Sequence, residues 1–244
     1  MRDPDHDQEG GQCNGGESMH ASTLFPAPHA RLERNDRLLL APGLTLFSQG
    51  GPFHVTEHRH PAFKIVLPFG GQVTVHPSGD RPITAPGVIV PPQYAHACST
   101  DSGFAALFID PWLLPSALAP TTLDAGTVRR LLDASCMAEV TGLTGQGPEL
   151  DPRVVRALRA CPGESLAAIA AEVDLSASRL RTLVRAAVGI PLVRLRQWAR
   201  LKTAVFALPH ASVAATAAAS GFADQAHLAR TSRTMLGRTP ASLR

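Results

Sequence analysis

The sequence has no apolar run near the ~18 residues of a membrane span. Its first residues join neither a basic start nor an apolar stretch, so neither a spanning helix nor a secretory signal is expected. Its cysteines, Cys13, Cys98, Cys136 and Cys161, lie far apart, with neither C-x-x-C nor zinc-finger spacing, which argues against a disulfide framework or a finger. Scattered thiols of this kind suit a reducing cytoplasm. Large apolar groups are scarce in residues 1–30, where Asp, Gly, Gln and Pro dominate; disorder is expected there, and Met19 is an alternative start. What remains is 44% hydrophobic across 244 residues, with mean hydropathy close to zero, as in soluble globular chains with room for two domains.

Charge is divided unevenly. Residues 1–150 hold 9 Lys/Arg against 15 Asp/Glu, a net of −6, whereas residues 151–244 hold 14 against 5, a net of +9. A basic half suits phosphate contacts. Within it, Ser212 to Pro240 reads as a short helix, a turn closed by Gly221-Phe222, and a second helix opening at Asp224 that exposes Gln225, His227, Arg230 and Arg233. Val213, Ala217, Leu228 and Met235 keep a one-sided helical spacing, so the two helices can share a core. Ser165 to Val188 repeats the design: one stripe of Leu166, Ile169, Ala170 and Val173, a turn at Asp174-Leu175, a cap at Ser176, then a stripe of Leu180, Leu183, Val184 and Ala187. Asp174 stands where such turns often need a left-handed residue, which Asp tolerates. Pro191 to Leu208 is the joining helix, with Trp198, Leu201, Val205 and Leu208 on one side. Two helices about a glycine turn, the second with Gln and Arg outward, are the pattern of a helix-turn-helix whose second helix enters a DNA major groove.

The run GF-x-DQ-x-H-x-x-R at Gly221 to Arg230 and the closing G-x-TP at Gly237 to Pro240 resemble the DNA-binding domain of the AraC/XylS transcription regulators, over about Ser165 to Arg244. The resemblance implies two recognition helices entering successive major-groove segments roughly one helical turn, ~34 Å, apart. It implies base readout by Ser178, Arg181 and Thr182 in the first unit and by Gln225 and Arg230 in the second, with Arg pairing to guanine and Gln to adenine. Arg185 and Arg233 are expected on phosphates, where a cation fixes register. Thr216 and Ser232 stand where the family usually has large apolar side chains, so the second unit is expected to be the looser reader, short of ~1.5–3 kcal/mol of burial at each.

From residue 38 to about 110, short β-forming runs (Leu44–Phe47, Phe53–Thr56, Phe63–Leu67, Gln72–Val75, Val88–Val90, Phe104–Ile109) alternate with Gly and Pro breaks, as in a small antiparallel barrel or sandwich. His58 and His60, two apart, share a face of a strand, and His96 follows Pro91-Pro92. Gly51, His58-x-His60 and Gly71, then Pro86-Gly87 and PPQYAH at Pro91 to His96, resemble the two cupin motifs. This implies a barrel pocket lined by the three histidines, which in the regulators senses a small molecule. Three imidazoles can also ligate Zn, Fe, Mn or Ni, but Lys64 occupies the position where cupin enzymes carry a carboxylate, and a cation there repels a divalent ion. His58, His60 and His96 are thus pocket lining for an organic ligand, metal ligands, or structural barrel residues. Lys64 favours an anionic effector such as a carboxylate, a surface position being the commoner fate of a lysine.

Thr121 to Leu143 has a helical pattern through Val128, Leu131 and Leu132; Gly142 to Pro148 breaks it, and a helix starts at Asp151-Pro152. The expected fold is α+β: a tail (1–30), a cupin-like antiparallel barrel (31–115), a helical connector (116–150), and an all-α domain with two helix-turn-helix units joined by a linker helix (151–244). The expected function is sequence-specific transcription regulation, not catalysis. Its expected partners are an operator DNA, a small-molecule effector bound by His58, His60, Lys64 and His96, and RNA polymerase, the chain working as monomer or homodimer with no cofactor. The alternative is a metal-dependent cupin enzyme or metal sensor fused to a DNA-binding domain.

Overall fold

The computed structural model describes residues 37–41, 43–134, 137–160 and 163–243. The expected tail 1–30, and three of the cysteines, lie outside them. Among the described residues, ten strands form two antiparallel sheets. The first runs β1 (Arg37–Ala41), β2 (Leu44–Gln49), β9 (Phe104–Ile109), β4 (Phe63–Pro68), β7 (Gly87–Val90), β10 (Thr121–Leu123), and the second runs β3 (Phe53–His58), β8 (His96–Thr100), β5 (Val73–Pro77), β6 (Ile83–Ala85).

The central strands are buried on both faces, and their alternation separates two cores. Phe63, Ile65 and Leu67 of β4, with Ala105, Leu107 and Ile109 of β9, face the outer helices α1 (Ala125–Ala134) and α2 (Met137–Thr144) through Val128, Leu131 and Val140. Val66, Phe104, Ala106 and Phe108 face inward, toward Val55, Val73, Val75 and Cys98 of the second sheet. Thr121–Leu123 had the look of a helix start. It pairs instead with β7, Thr121 opposite Ile89 and Leu123 opposite Gly87, and the helix begins at Ala125 behind Asp124, whose carboxylate accepts from Thr127 N and Oγ1. Strand β6, which is short, and strand β8, which is polar, also escaped the sequence pattern, as did the apolar β1.

Between α2 and α3 (Pro152–Arg159) the chain has no regular structure, and Gly147 N donates to Leu113 O, tying this stretch to the barrel. Asp151 caps α3 by accepting from Arg153 N at 2.8 Å. The first helix pair is α4 (Leu166–Glu172) and α5 (Ala177–Val188). Asp174 takes φ +54° in its turn, and Ser176 caps α5 through Arg179 N. These helices and α3 close a core of Val154, Ile169, Leu180, Val184 and Leu195. The joining helix α6 (Leu192–Ala207) has Pro191 as its N-cap rather than its first helical residue. The second pair is α7 (Val213–Ala219) and α8 (Gln225–Leu236), with Ser212 and Asp224 as side-chain caps. Its core differs from the first: Trp198, Leu201, Val205, Leu208, Ala217, Leu228 and Met235 are continuous with the inward face of the barrel.

Candidate functional site

On the helical domain, the side chains expected to meet DNA are all exposed: Ser178, Arg181, Thr182 and Arg185 along α5, and Gln225, Arg230 and Arg233 along α8. Apolar partners hold the opposite faces, Leu180 and Val184 on α5, Leu228 and Met235 on α8. His227 is turned partly inward, its ring edge-on to Phe222 at 5.2 Å. Both departures in the second unit are buried. The Ser232 hydroxyl donates to Arg238 O at 2.7 Å, tying α8 to the chain beyond it, while the Thr216 hydroxyl is unpartnered.

A family signature described as "Helix-turn-helix domain" matches residues 154–244. Residues 154–244 therefore form a helix-turn-helix domain of the AraC type. No curated protein matches the chain in sequence. Among solved structures it is similar to ToxT from Vibrio cholerae O395, at 9% identity over 82% of this chain and 95% of that one, with a TM-score of 0.51. It is equally similar to ToxT from the same strain bound to (E)-4-(8-methylnaphthalen-1-yl)but-3-enoic acid, at 9% identity, 82% and 96% coverage, and TM-score 0.51. The similarity extends through both halves, a β domain followed by the AraC-type domain.

Between the halves lies a pocket partly open to solvent. The barrel contributes Phe47, Phe53, Phe104 and Phe108, and the AraC-type domain contributes Trp198, Leu201, Val205 and Leu236. The chain's only two lysines, Lys64 and Lys202, both line it, together with Arg238. Two of these cations are engaged. Lys202 Nζ pairs with Asp110 Oδ1 at 3.1 Å, and Arg238 donates to Gln49 Oε1 at 3.0 Å and Ser242 O at 2.8 Å while covering the Phe47 ring. Lys64 is different. It is buried on the inward face of β4, its Nζ 5.9 Å from the ring centres of Phe53 and Phe108, and among the described residues it has no hydrogen bond or ion pair. Burial foremost lowers its pKa; Cys98 works against that effect and Arg238 adds to it. A buried cation over two aromatic faces is partly compensated by their quadrupoles and still lacks an anion.

His58, His60 and His96 come together as their spacing suggests, but not on this cavity's wall. They form a separate cluster, with His60 packed against two residues that do line the cavity, Phe108 at 5.4 Å and Trp198 at 6.2 Å. His58 sits opposite His96 across β3 and β8, after a shift in register between Val55 and His58, and His60 follows the end of β3. A bulge of this kind re-aims the side chains beyond it. Burial foremost, with Lys64's charge adding to it, lowers the pKa of all three rings, that of His96 to about 3, so they are neutral at pH 7.

Lys202, Arg238 and Trp198 were not among the expected effector residues. Lys202 carried a faint signal: it is the one lysine of the basic half and stands beside the apolar stripe of α6. Which strand face that stripe meets is a long-range fact with no local trace.

Proposed function

We infer that this protein is a one-component transcription regulator whose effector is an organic acid with a bulky apolar body, held between the barrel and the AraC-type domain. The observation that carries this reading is the unpaired Lys64 in an aromatic-walled cavity to which both halves contribute. A carboxylate on Lys64 supplies the missing anion through a charge-assisted hydrogen bond, and the phenylalanines and α6 side chains cover the body of the ligand. The acid seen in ToxT, an aryl group on a short unsaturated chain ending in a carboxyl, has this chemistry. Because Trp198, Leu201 and Leu236 belong to the DNA-binding half, a ligand here makes contacts that depend on how the halves sit. That is the requirement for coupling, typically worth 1–3 kcal/mol. On DNA, Ser178, Arg181, Thr182, Gln225 and Arg230 read bases while Arg185 and Arg233 hold phosphates, a reading supported by their exposure on α5 and α8.

The test is calorimetric titration with (E)-4-(8-methylnaphthalen-1-yl)but-3-enoic acid and with oleate, each beside the alcohol of the same skeleton, followed by binding to an operator selected from random duplexes. Acids that bind at least tenfold tighter than their alcohols, and that shift operator affinity, support the reading. Equal binding of acid and alcohol, or heat from neither, overturns it.

A further inference from the structure

We propose that His58, His60 and His96 bind a divalent transition metal through their Nε2 atoms, and that this ion fixes the barrel segment on which the second helix-turn-helix unit rests. Each ring is already held by its other nitrogen. The acceptors of the Nδ1 atoms are backbone carbonyls: Thr56 O for His58 at 2.9 Å, Ala62 O for His60 at 2.8 Å, and Tyr94 O for His96 at 3.0 Å. A carbonyl only accepts, so each Nδ1 carries the proton and each Nε2 carries a lone pair. This is the outer-shell arrangement that orients metal-binding histidines. The Nε2 atoms of His60 and His96 are buried and have no partner. Buried acceptors are rarely left so unless something absent from the protein itself fills the gap.

The cluster's ligand atoms lie within 4.8 Å of one another. Ions of the zinc type hold imidazole nitrogen at about 2.0–2.1 Å, so in a tetrahedron the nitrogens stand roughly 3.4 Å apart, and binding must draw the rings inward by an ångström or so. The ligands sit where that is feasible, His58 after a bulge and His60 past the end of its strand. Three neutral imidazoles without a thiolate or carboxylate suit Zn²⁺, Co²⁺, Ni²⁺ or Fe²⁺ and leave a coordination position open. Lys64 is the opposing charge. Its ammonium lies over the rings of Phe53 and Phe108, whose faces partly compensate that charge.

The segment that carries two of these ligands also carries α8. Thr56 Oγ1 donates to Gly237 O at 3.2 Å, and Arg59 N donates to Thr234 O at 2.8 Å. A Cβ on Gly237 would lie 3.0 Å from His58 Nδ1 and 2.5 Å from Thr56 O, the same carbonyl that orients His58. Drawing His58 and His60 onto an ion therefore stiffens the surface against which the end of α8 is packed.

The inference stands apart from the organic-acid reading and is tested without it. Purified full-length protein is dialysed and its metal measured, then stripped protein is titrated with Co²⁺ and read by visible absorption, which needs no variant. About one equivalent of metal, with a saturating ligand-field band that is lost in His60→Gln and His96→Gln, supports the site. Absence of both the metal and the band in wild type overturns it, as does a band that persists in both variants. Hydrogen exchange over 225–237, with and without equimolar Zn²⁺, tests the second half. Slower exchange on metal addition is expected, and unchanged exchange in metal-loaded protein overturns the link to α8.

Discussion

Lys64 stands in a strand whose other inward positions are apolar, and the structure gives it aromatic faces but no anion. Methionine keeps its length and removes its charge. Lys64→Met should keep the fold and weaken binding of an organic acid by about 10–100-fold, the equivalent of one charge-assisted hydrogen bond at roughly 1.5–3 kcal/mol. Titration of the variant checks this, and affinity unchanged within threefold would place the acid elsewhere. On the DNA side, Arg181 and Arg185 lie one helical turn apart on exposed α5, and the proposed roles differ. Arg181→Ala should cost about 1–3 kcal/mol on the selected operator and little on random duplex, whereas Arg185→Ala should weaken both alike and lower the salt slope by about one. Anisotropy titrations across salt separate the two, and parallel losses in both variants would dissolve the division between base reader and phosphate contact.

Among the elements, α8 is the one whose end is fixed by the other domain. Gly237 ends it in the left-handed conformation, φ +66°, against Thr56 O, while Gly189 ends α5 in the same conformation, φ +75°, with nothing near its missing side chain. The pair makes a controlled comparison. Gly189→Ala should cost only the left-handed penalty of roughly 1–2 kcal/mol. Gly237→Ala adds a clash with barrel backbone and should cost about 2–4 kcal/mol in all, a drop in Tm of roughly 4–16 °C at ~2–4 °C per kcal/mol. Equal Tm losses would mean that α8 does not bear on the barrel. Local chemistry made these helices legible beforehand: the caps Ser176, Ser212 and Asp224, the left-handed Asp174, and stripes at 3.6 spacing all lie within a turn or two of what they control. The three histidines were legible as a group from the motifs that hold them, although His60 lies past the end of β3 instead of sharing the strand with His58 as expected. The cavity wall from Trp198 and Lys202 was not, because it depends on a contact between distant segments, and nor was the hydroxyl of Ser232 on Arg238 O. Ser232 shows the consequence. Read alone it was a shortfall of apolar bulk, yet a phenylalanine there would break that bond in a fully buried site, so no gain in stability is expected from it.

At the scale of the whole molecule, the boundary between cooperative units does not follow the boundary between β and α. The first helix-turn-helix unit closes its own core around Ile169, Leu180 and Val184, with Trp112 at its margin. The second unit shares its core with the barrel interior, from Val55 and Phe108 through Trp198 and Leu201 to Leu228 and Met235, and Lys202–Asp110 and Arg238–Gln49 cross the same junction. Units that share a core open together, and units with separate cores can open apart. In hydrogen exchange under rising denaturant, α6 from Trp198 onward and α8 should therefore lose protection with β4 and β9, while α4 and α5 lose theirs at a different concentration. If α8 opened with α5 and apart from β4, the shared core would not be a cooperative unit. The expected order also limits how an effector can act. A ligand in the cavity touches only the core that the barrel and second unit share, so it should change the protection of α8 strongly and of α5 weakly. Its effect on DNA binding should then fall on contacts made by Gln225, Arg230 and Arg233 rather than on those of Arg181. Operator variants altered at one half-site at a time, assayed with and without oleate, measure that asymmetry directly, and an effector response carried by the α5 half-site would place the coupling in the first unit instead.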